Sequence, residues 1–598
     1  MSITRVFDIL DNYISKEKAI IGKYNGEWIS YSDKDYKENS NNFSYGLLNI
    51  GIKKNDKIAT VMNNRPEWNF IDMGILQTGA VHVPVYPTIS DDEFLHILSD
   101  SDAVLLIVSD KNLYDRLSKL IEKIPAIKDI YTIDNIQGAK NVSDVFESGK
   151  QNADKFKDEL IKIKSSVKKD DLASLIYTSG TTGAAKGVML THNNFVSNIL
   201  GVYKKVPLTN NEKILSFLPL CHVYERTVNY IYQYIGIQII YAENFGTIAD
   251  NLRHFKVEGF VTVPRVLEMI YEKIITKGKD LTGLKKKIFF WAVKIGNNYS
   301  HEKSQKGIYK IKLNLARKLV FSKWKAALGG KLHMIVSGGS ALQPRLARMF
   351  DAVGILVQEG YGLTETSPVI SFNDSVIENN KIGTVGKVLK NIEVKIADDG
   401  EILVRGPIVM KGYYKRPDLT AEVIDSDNWF HTGDIGELDN DGFLKITDRK
   451  KEIFKNSAGK YIAPQVIENK LKESIFIDQV MVVGDGEKFA SALISPNFNH
   501  LHFWASKHNV HYRDNYELVK NKDVVKRIQK EINEINKKLG QIEQIKRFRL
   551  VCDEWTTKTK ELSPTLKLRR KNIYKKYEHI LRDIYGYKDN EENRAVKK

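Results

Sequence analysis

Cysteine is nearly absent from this chain: 598 residues hold two, Cys221 and Cys552, 331 positions apart. They make neither a disulfide framework nor a cysteine-based metal site, and such usage suits a reducing compartment. Long apolar runs are missing too. The most apolar stretches, FFWAVKIG and YIGIQIIYA, fall far short of the roughly 20 residues that span a bilayer. The opening segment MSITRVFDILDNYISKEK carries Asp8 and Asp11 and has no apolar core, so it does not read as a secretory signal. The chain has no internal repeat, no low-complexity linker and no recognisable nucleic-acid module. These absences lead to the expectation of a cytoplasmic protein, with peripheral contact to a membrane left open and nucleic acid excluded as a partner.

Acidic residues are in short supply as well, 74 against 91 Lys and Arg, for a net charge of +17. From Leu501 to Lys598 there are 25 basic and 14 acidic residues, a local net of +11. Nucleic acid, an anionic membrane surface, a polyanionic small ligand and a solvated lysine-rich face all fit such an excess on charge alone. The apolar share of 42% and charged share of 28% are those of a globular protein.

Strand and helix patterns alternate through the first half. DKIATVMNN, VHVPVYP and VLLIVSD read as strands; PEWNFIDMGILQTGA and SDDEFLHILSDSDA read as helices between them, which predicts parallel α/β sheets. Residues 266–330 are lysine-rich and helical by pattern, an insertion on the α/β body whose amphipathic aromatic face suits core packing first and contact with a membrane or partner second. From Gly383 the texture turns to short strands with hairpin signals at Asp399-Gly400 and Asp441-Gly442. A smaller basic unit follows. The boundary falls at 448/449, which divides the chain into a large domain 1–448 and a small α+β domain 449–598.

The densest concentration of chemistry is YTSGTTGAAKG, Tyr177 to Gly187. Gly180, Gly183 and Gly187 let the backbone turn tightly; Thr178, Ser179, Thr181 and Thr182 offer hydroxyls; Lys186 adds a positive charge. The apolar strand LASLIYT precedes it, and a strand and helix starting near Thr191 follow. It suits a triphosphate but is not a Walker A loop, because Gly187 and not Ser or Thr follows the lysine. Four further segments complement it. SFLPLCHVYER places His222 in apolar surroundings, where it can orient a carboxylate or move a proton. VSGGSAL and QEGYGLTET offer glycine backbone and Tyr361 for a planar base, then Thr364 and Glu365 for phosphate and magnesium. HTGDIGELDNDGFLKITDRKKEIF carries Asp434, suited to ribose hydroxyls, and Arg449. ELSPTLKLRRK carries Lys567.

Taken together these segments resemble the adenylate-forming (AMP-binding) superfamily of acyl-CoA synthetases, luciferases and adenylation domains. YTSGTTGAAKG, YGLTET, HTGD, ITDRKKEIFKNSAGKYIAP and PTLKLRRK stand in the family's order across nearly the whole chain. LPLCHVYER, IVSGGSAL and the helical insertion look most like long-chain fatty acid–CoA ligases. The resemblance implies a large N-terminal domain of α/β sheets with a small β-subdomain, and a mobile C-terminal lid hinged near Lys451. It implies two half-reactions: a fatty carboxylate and ATP give acyl-AMP and pyrophosphate, then coenzyme A takes the acyl group and releases AMP. The residues implied for ATP and AMP are Thr178, Ser179, Gly180, Thr181, Thr182, Gly183, Lys186, Gly339, Ser340, Ala341, Glu359, Gly360, Tyr361, Gly362, Thr364, Asp434, Ile446, Arg449 and Lys567. Thr181 and Glu365 are implied for Mg2+, and Lys567, Glu365, Thr364 and His222 for catalysis. The alternatives are a fatty acyl-AMP ligase serving an acyl carrier protein, or a ligase of shorter or aromatic acids. No carrier domain follows Lys598, which favours a free thiol.

Overall fold

The computed structural model describes residues 3–11, 16–178, 184–563 and 566–587. Two large sheets form its body. In the first, strands run in the order Gly412–Tyr413, Lys186–Thr191, Leu172–Thr178, Val81–Val85, Lys57–Val61, Ala103–Val108, Asp129–Thr132 and Lys140–Asn141. In the second, the order is Lys387–Val388, Val369–Phe372, Leu356–Gly362, Met334–Ser337, Gly259–Thr262, Lys213–Ser216, Gln238–Tyr241, Ile20–Tyr24 and Glu27–Tyr31. The central pairings are parallel, as the alternating strand and helix patterns predict. Strands such as Ala103–Val108 (AVLLIV) are almost wholly apolar because helices cover both faces.

The segments on either side of the phosphate-loop motif pair antiparallel, Thr178 opposite Lys186. Thr191 caps the next helix, His192–Val202, by accepting from the backbone N–H of Asn194. A third sheet is antiparallel: Glu393–Ile396, Glu401–Arg405, Phe430–Leu438 and Leu444–Arg449. Its hairpins turn at Asp399-Gly400 and Asp441-Gly442, where both glycines take positive φ (+85° and +80°).

The first helix of the inserted region, Pro264–Lys279, carries proline in its first turn. Helices Gly283–Asn297 and Gly307–Ala316 follow, the latter running on through a π turn to Ala327. Phe289, Ala292, Val293, Leu313, Phe321 and Trp324 are buried, so the inner face joins the main core as the sequence suggests.

A separate apolar core starts at Phe454. Here the period of two along a strand is visible directly. Val480, Val482, Ala492 and Ile494 face helix Lys522–Asn536, while Met481, Val483 and Leu493 face the C-terminal helices Arg570–Lys576 and Glu578–Tyr585. The two bodies meet through an ion pair of Arg265 with Asp478, a bond from Gln343 to the carbonyl of Lys472 (3.4 Å), and the contact of Lys279 with His500 (3.2 Å). Among the described residues no helix is long and apolar enough to cross a membrane.

Between the two large sheets lies a charged cluster shut off from water. The guanidinium of Arg226, on helix Val223–Ile235, donates to Asp72 (2.5 Å) and to Ser174 Oγ (2.7 Å). His82 Nδ1 lies 2.6 Å from Asp72 and its Nε2 2.8 Å from Thr60. Trp68, Phe195 and Tyr230 rings surround the guanidinium at 5.2–5.7 Å. Burial pushes the Asp72 carboxyl up, but Arg226, His82 and Tyr230 outweigh it and hold the group below its usual range. Removing one partner of such a pair strands the other charge at a cost of about 3–5 kcal/mol. Arg226→Met is therefore expected to lower the unfolding free energy of the large domain, read from urea titration, by that amount. A change below about 1 kcal/mol would show that the cluster is not a stability determinant.

Candidate active site

The carboxyl ends of the second sheet's parallel strands supply one wall. Strands Met334–Ser337 and Leu356–Gly362 are adjacent, Ser337 beside Glu359, so the loop Gly339–Ala341 lies next to Gly360 and Tyr361. This is where open α/β sheets bind ligands. Gly339 takes φ +80° and, with Ser340 and Ala341, is exposed. Gly362 has no room for a side chain: a Cβ there would sit 1.7 Å from the Pro368 carbonyl oxygen. Burial pushes the Glu359 carboxyl up to about 8, against a smaller opposing pull from the backbone amides of Gly383 and Leu342.

Tyr361 connects this wall to the third sheet, its hydroxyl donating to Asp434 Oδ2 at 2.8 Å. Asp434 and Arg449 are register partners on neighbouring strands, and Arg449 Nε lies 3.4 Å from Asp434 Oδ1. Burial raises the Asp434 carboxyl, partly offset by Arg449 and Tyr361. Ile446, three residues before Arg449 on the same strand, packs in the small cluster that holds Tyr361.

Thr364 and Glu365 form a short 3-10 turn beyond the strand, with Thr364 buried. Tyr413 donates to Glu365 Oε1 at 2.9 Å. The ring of the same tyrosine lies under the Lys186 ammonium, 4.9 Å from its centroid. Gly412–Tyr413 pairs with Lys186–Thr191, Tyr413 opposite Val188, which brings the lysine of the phosphate loop and the glutamate of YGLTET to one aromatic ring. Nothing in the spacing of KGYYKRP marks Tyr413; its role comes from an edge pairing between segments over 220 residues apart. Ser179, Gly180, Thr181, Thr182 and Gly183 lie outside the described residues; Thr178 ends its strand beside them.

His222 caps helix Val223–Ile235: its Nδ1 accepts from the backbone N–H of Tyr224 at 3.1 Å. The proton of the neutral ring therefore sits on Nε2. Burial, helped by the charge of Lys567, pulls His222 down to about 4, so at neutral pH it is an uncharged donor and not a proton reservoir.

Lys567 comes from the small C-terminal body. A turn fixes its backbone, with Ser563 N–H donating to the Lys567 carbonyl (2.8 Å) and Lys567 N–H to Ser563 Oγ (3.0 Å). Although the residue is not fully buried, protein surrounds its ammonium. Loss of hydration and the nearby Arg449 pull it down to about 8, against the opposing pull of Asp434, Glu452 and Glu365. Thus His222, Glu365, Asp434, Arg449 and Lys567, from four separate segments, share one electrostatic neighbourhood.

The residues between the two bodies are anchored on both sides. Lys450 Nζ reaches Asp399 (2.7 Å) and Glu401 (2.8 Å) in the third sheet. Glu452 pairs with Arg570 (3.0 Å), which also holds the buried Glu468 (2.8 Å). Lys451, exposed, stands between the two anchors.

The profile of the AMP-binding enzymes matches residues 12–414, and that of the AMP-binding enzyme C-terminal domain matches residues 452–589. The chain belongs to the AMP-binding enzyme family. It is 34% identical over 550 residues to a long-chain-fatty-acid--CoA ligase, FadD15, of Mycobacterium bovis, with 90% of each chain covered. It is 32% identical to a peroxisomal long chain acyl-CoA synthetase 6 of Arabidopsis thaliana, covering 96% of this chain and 84% of the other. Among solved structures, the adenylation domain of the carboxylic acid reductase of Segniliparus rugosus, in complex with AMP and a co-purified carboxylic acid, superposes with a TM-score of 0.73. It is 19% identical, with 97% of this chain and 94% of that one covered, and it shows the shared adenylate-forming fold.

Tyr413→Phe keeps the ring under Lys186 but frees Glu365. A hydrogen bond to a charged group is worth about 1.5–3 kcal/mol, so this variant is expected to bind ATP at least about tenfold more weakly in the presence of magnesium. Calorimetric titration checks this, and unchanged affinity would remove Tyr413 from the site.

Proposed function

We propose that the protein is an ATP-dependent long-chain fatty acid–CoA ligase, which forms an acyl-adenylate with release of pyrophosphate and then passes the acyl group to coenzyme A. The observation that carries this reading is the convergence of Lys567 on His222, Glu365, Asp434 and Arg449. Ligases at 34% and 32% identity over nearly the whole chain support the substrate class.

In the first half-reaction two anions must meet, and positioning with electrostatic stabilisation accounts for most of such catalysis. Thr178 to Gly183 and Lys186 hold the phosphates in this reading. Gly339, Ser340, Ala341, Gly360 and Gly362 frame adenine against Tyr361, while Asp434 and Arg449 grip the ribose. Thr364 lies at the α-phosphate. His222, protonated on Nε2, donates to the fatty carboxylate and holds it for attack. The Lys567 ammonium bridges carboxylate and α-phosphate, and neutralises charge that builds as the P–O bond to pyrophosphate breaks.

Glu365 fits magnesium: it is a lone hard carboxylate, and among the described residues no group of three or more His, Cys, Asp or Glu is placed to cage a metal. Mg2+ commonly takes one or two carboxylates and completes its shell with substrate phosphates and water. Bound by Glu365, with Thr181, it would supply charge neutralisation at the departing pyrophosphate.

The second half-reaction requires Lys567 to withdraw. We place the domain boundary at 448/449 and the hinge at Lys451, which the anchored Lys450 and Glu452 flank. Peripheral contact with a membrane, the source of a long-chain acid, belongs to the same reading.

A panel of carboxylic acids supplied with ATP, magnesium and coenzyme A is expected to give AMP and acyl-CoA in equal amounts, with long-chain acids preferred. Acyl-AMP that accumulates and is not consumed when coenzyme A is added would point instead to a carrier-protein acceptor. Lys567→Ala is expected to lower ATP–pyrophosphate exchange by at least about a hundredfold, while coenzyme A attack on supplied acyl-AMP stays within a few-fold of wild type. Wild-type exchange, read as kcat/KM, should fall as pH rises through about 8, because the Lys567 ammonium is present below that value and lost above it. The residual activity of Lys567→Ala should lack this alkaline limb. Equal loss of both half-reactions, or an unchanged limb, would contradict the role of Lys567.

A further inference from the structure

The outer face of the helical insertion is neither core nor ordinary surface. Along the helix that starts at Gly307, Leu313, Ala316, Val320, Phe321 and Trp324 point inward and are buried. On the opposite side Ile308, Ile311, Leu315 and Leu319 are 70%, 70%, 48% and 41% exposed. Their spacing of three, four and four residues puts them on one face, a continuous apolar stripe about three turns long. Scattered exposed aliphatics need no explanation, but an aligned row of large ones does.

The charge around the stripe is equally unusual. From Gly283 to Gly330 there are 12 Lys and Arg and a single acid, Glu302. Lys312 and Lys318 flank the stripe itself, both exposed. A helix with a bare apolar ridge between lysines has the make-up of an element that lies in the plane of a lipid interface, with aliphatic side chains among the acyl chains and ammonium groups at anionic headgroups. A second copy of the same face would be repelled by its own charge. Nucleic acid would satisfy the lysines and leave the aliphatic row in water.

We infer that the Ile308–Leu319 face is the surface by which this protein docks on an anionic phospholipid bilayer. This deepens the peripheral contact proposed for the ligase, but does not depend on catalysis. The same surface explains why a chain with no helix able to cross a membrane, among the described residues, carries exposed isoleucine and leucine in its most basic segment.

The test is co-sedimentation of the full chain with vesicles of phosphatidylcholine alone and of phosphatidylcholine mixed with phosphatidylglycerol. The wild type is expected to sediment with the mixed vesicles and to remain in solution with the neutral ones. Ile311→Ser/Leu315→Ser should bind the mixed vesicles about tenfold or more weakly, and so should Lys312→Glu/Lys318→Glu. Both pairs are solvent-facing, so unfolding midpoints should stay at the wild-type value. Failure of the wild type to bind mixed vesicles would overturn the inference. So would equal binding by the wild type and the serine variant, which would mark a purely electrostatic attraction. Vesicle binding without ATP–pyrophosphate exchange on any acid would instead leave the docking surface standing and remove the ligase reading.

Discussion

The arrangement of the site depends on the buried contact of Arg226 with Asp72. Asp72 lies on helix Pro66–Gln77, His82 and Ser174 on neighbouring strands of the first sheet, and Arg226 one turn after His222. The strand that carries Ser174 ends at Thr178, where the phosphate-loop motif begins. A single guanidinium thus fixes the start of helix Val223–Ile235 against the strand that leads to the loop. With 0% and 1% of their side chains exposed, Arg226 and Asp72 cannot shed their charges to water, and each is held in place by the need of the other. Apolar packing alone would fill the same space without prescribing the angle at which His222 is held.

The second organising feature is the use of aromatic hydroxyls to couple segments that backbone pairing leaves independent. Tyr361 joins the second sheet to Asp434 in the third, and Tyr413 joins the edge of the first sheet to Glu365. Each tyrosine also offers a ring: Tyr413 to Lys186, and Tyr361 to a planar base in the proposed reading. The three sheets are therefore cross-linked by the same side chains that would meet the nucleotide, so a ligand that changes one contact is felt in two sheets.

Much of this was legible in the sequence because it is local. The alternation of strands and helices, the Asp-Gly hairpins and the Thr191 cap are each written within a dozen residues, and the backbone physics that decides them is short-range. The site segments were legible because glycine, hydroxyl and charged residues at those densities have few structural uses. The reach of Lys567, whose segment resembles the family's, was legible only by that resemblance. Tyr413 and the partners of Arg226 were not legible at all. Their meaning lies in contacts with segments roughly 50 to 230 residues away, and periodicity carries no signal over that distance. The outer stripe of the insertion could not be separated from core in the sequence for another reason. Ile308, Ile311, Leu315 and Leu319 interleave with Leu313, Val320, Phe321 and Trp324, so the hydrophobic count reads as a core helix. Only exposure separates the two faces.

The position of Lys567 carries an energetic implication for how the two bodies part. Its ammonium sits where hydration is lost and Arg449 repels it, and a pull down to about 8 is the signature of a charge held against a penalty. The contacts across the interface include the Arg265–Asp478 pair, the Gln343 bond, Lys279 with His500 and the packing of Leu566 against the cores of both bodies. In the proposed reading the anchor of Arg570 to Glu452 and Glu468 lies beyond the hinge and survives a rotation about Lys451, while Lys450, before the hinge, stays with the third sheet. A substrate that brings two negative groups to Lys567 favours the seated arrangement. Loss of pyrophosphate removes much of that attraction while the desolvation penalty remains. In the proposed reaction the same lysine that assembles the first transition state is then the least comfortable group in the site, and its discomfort favours the opening that admits the thiol.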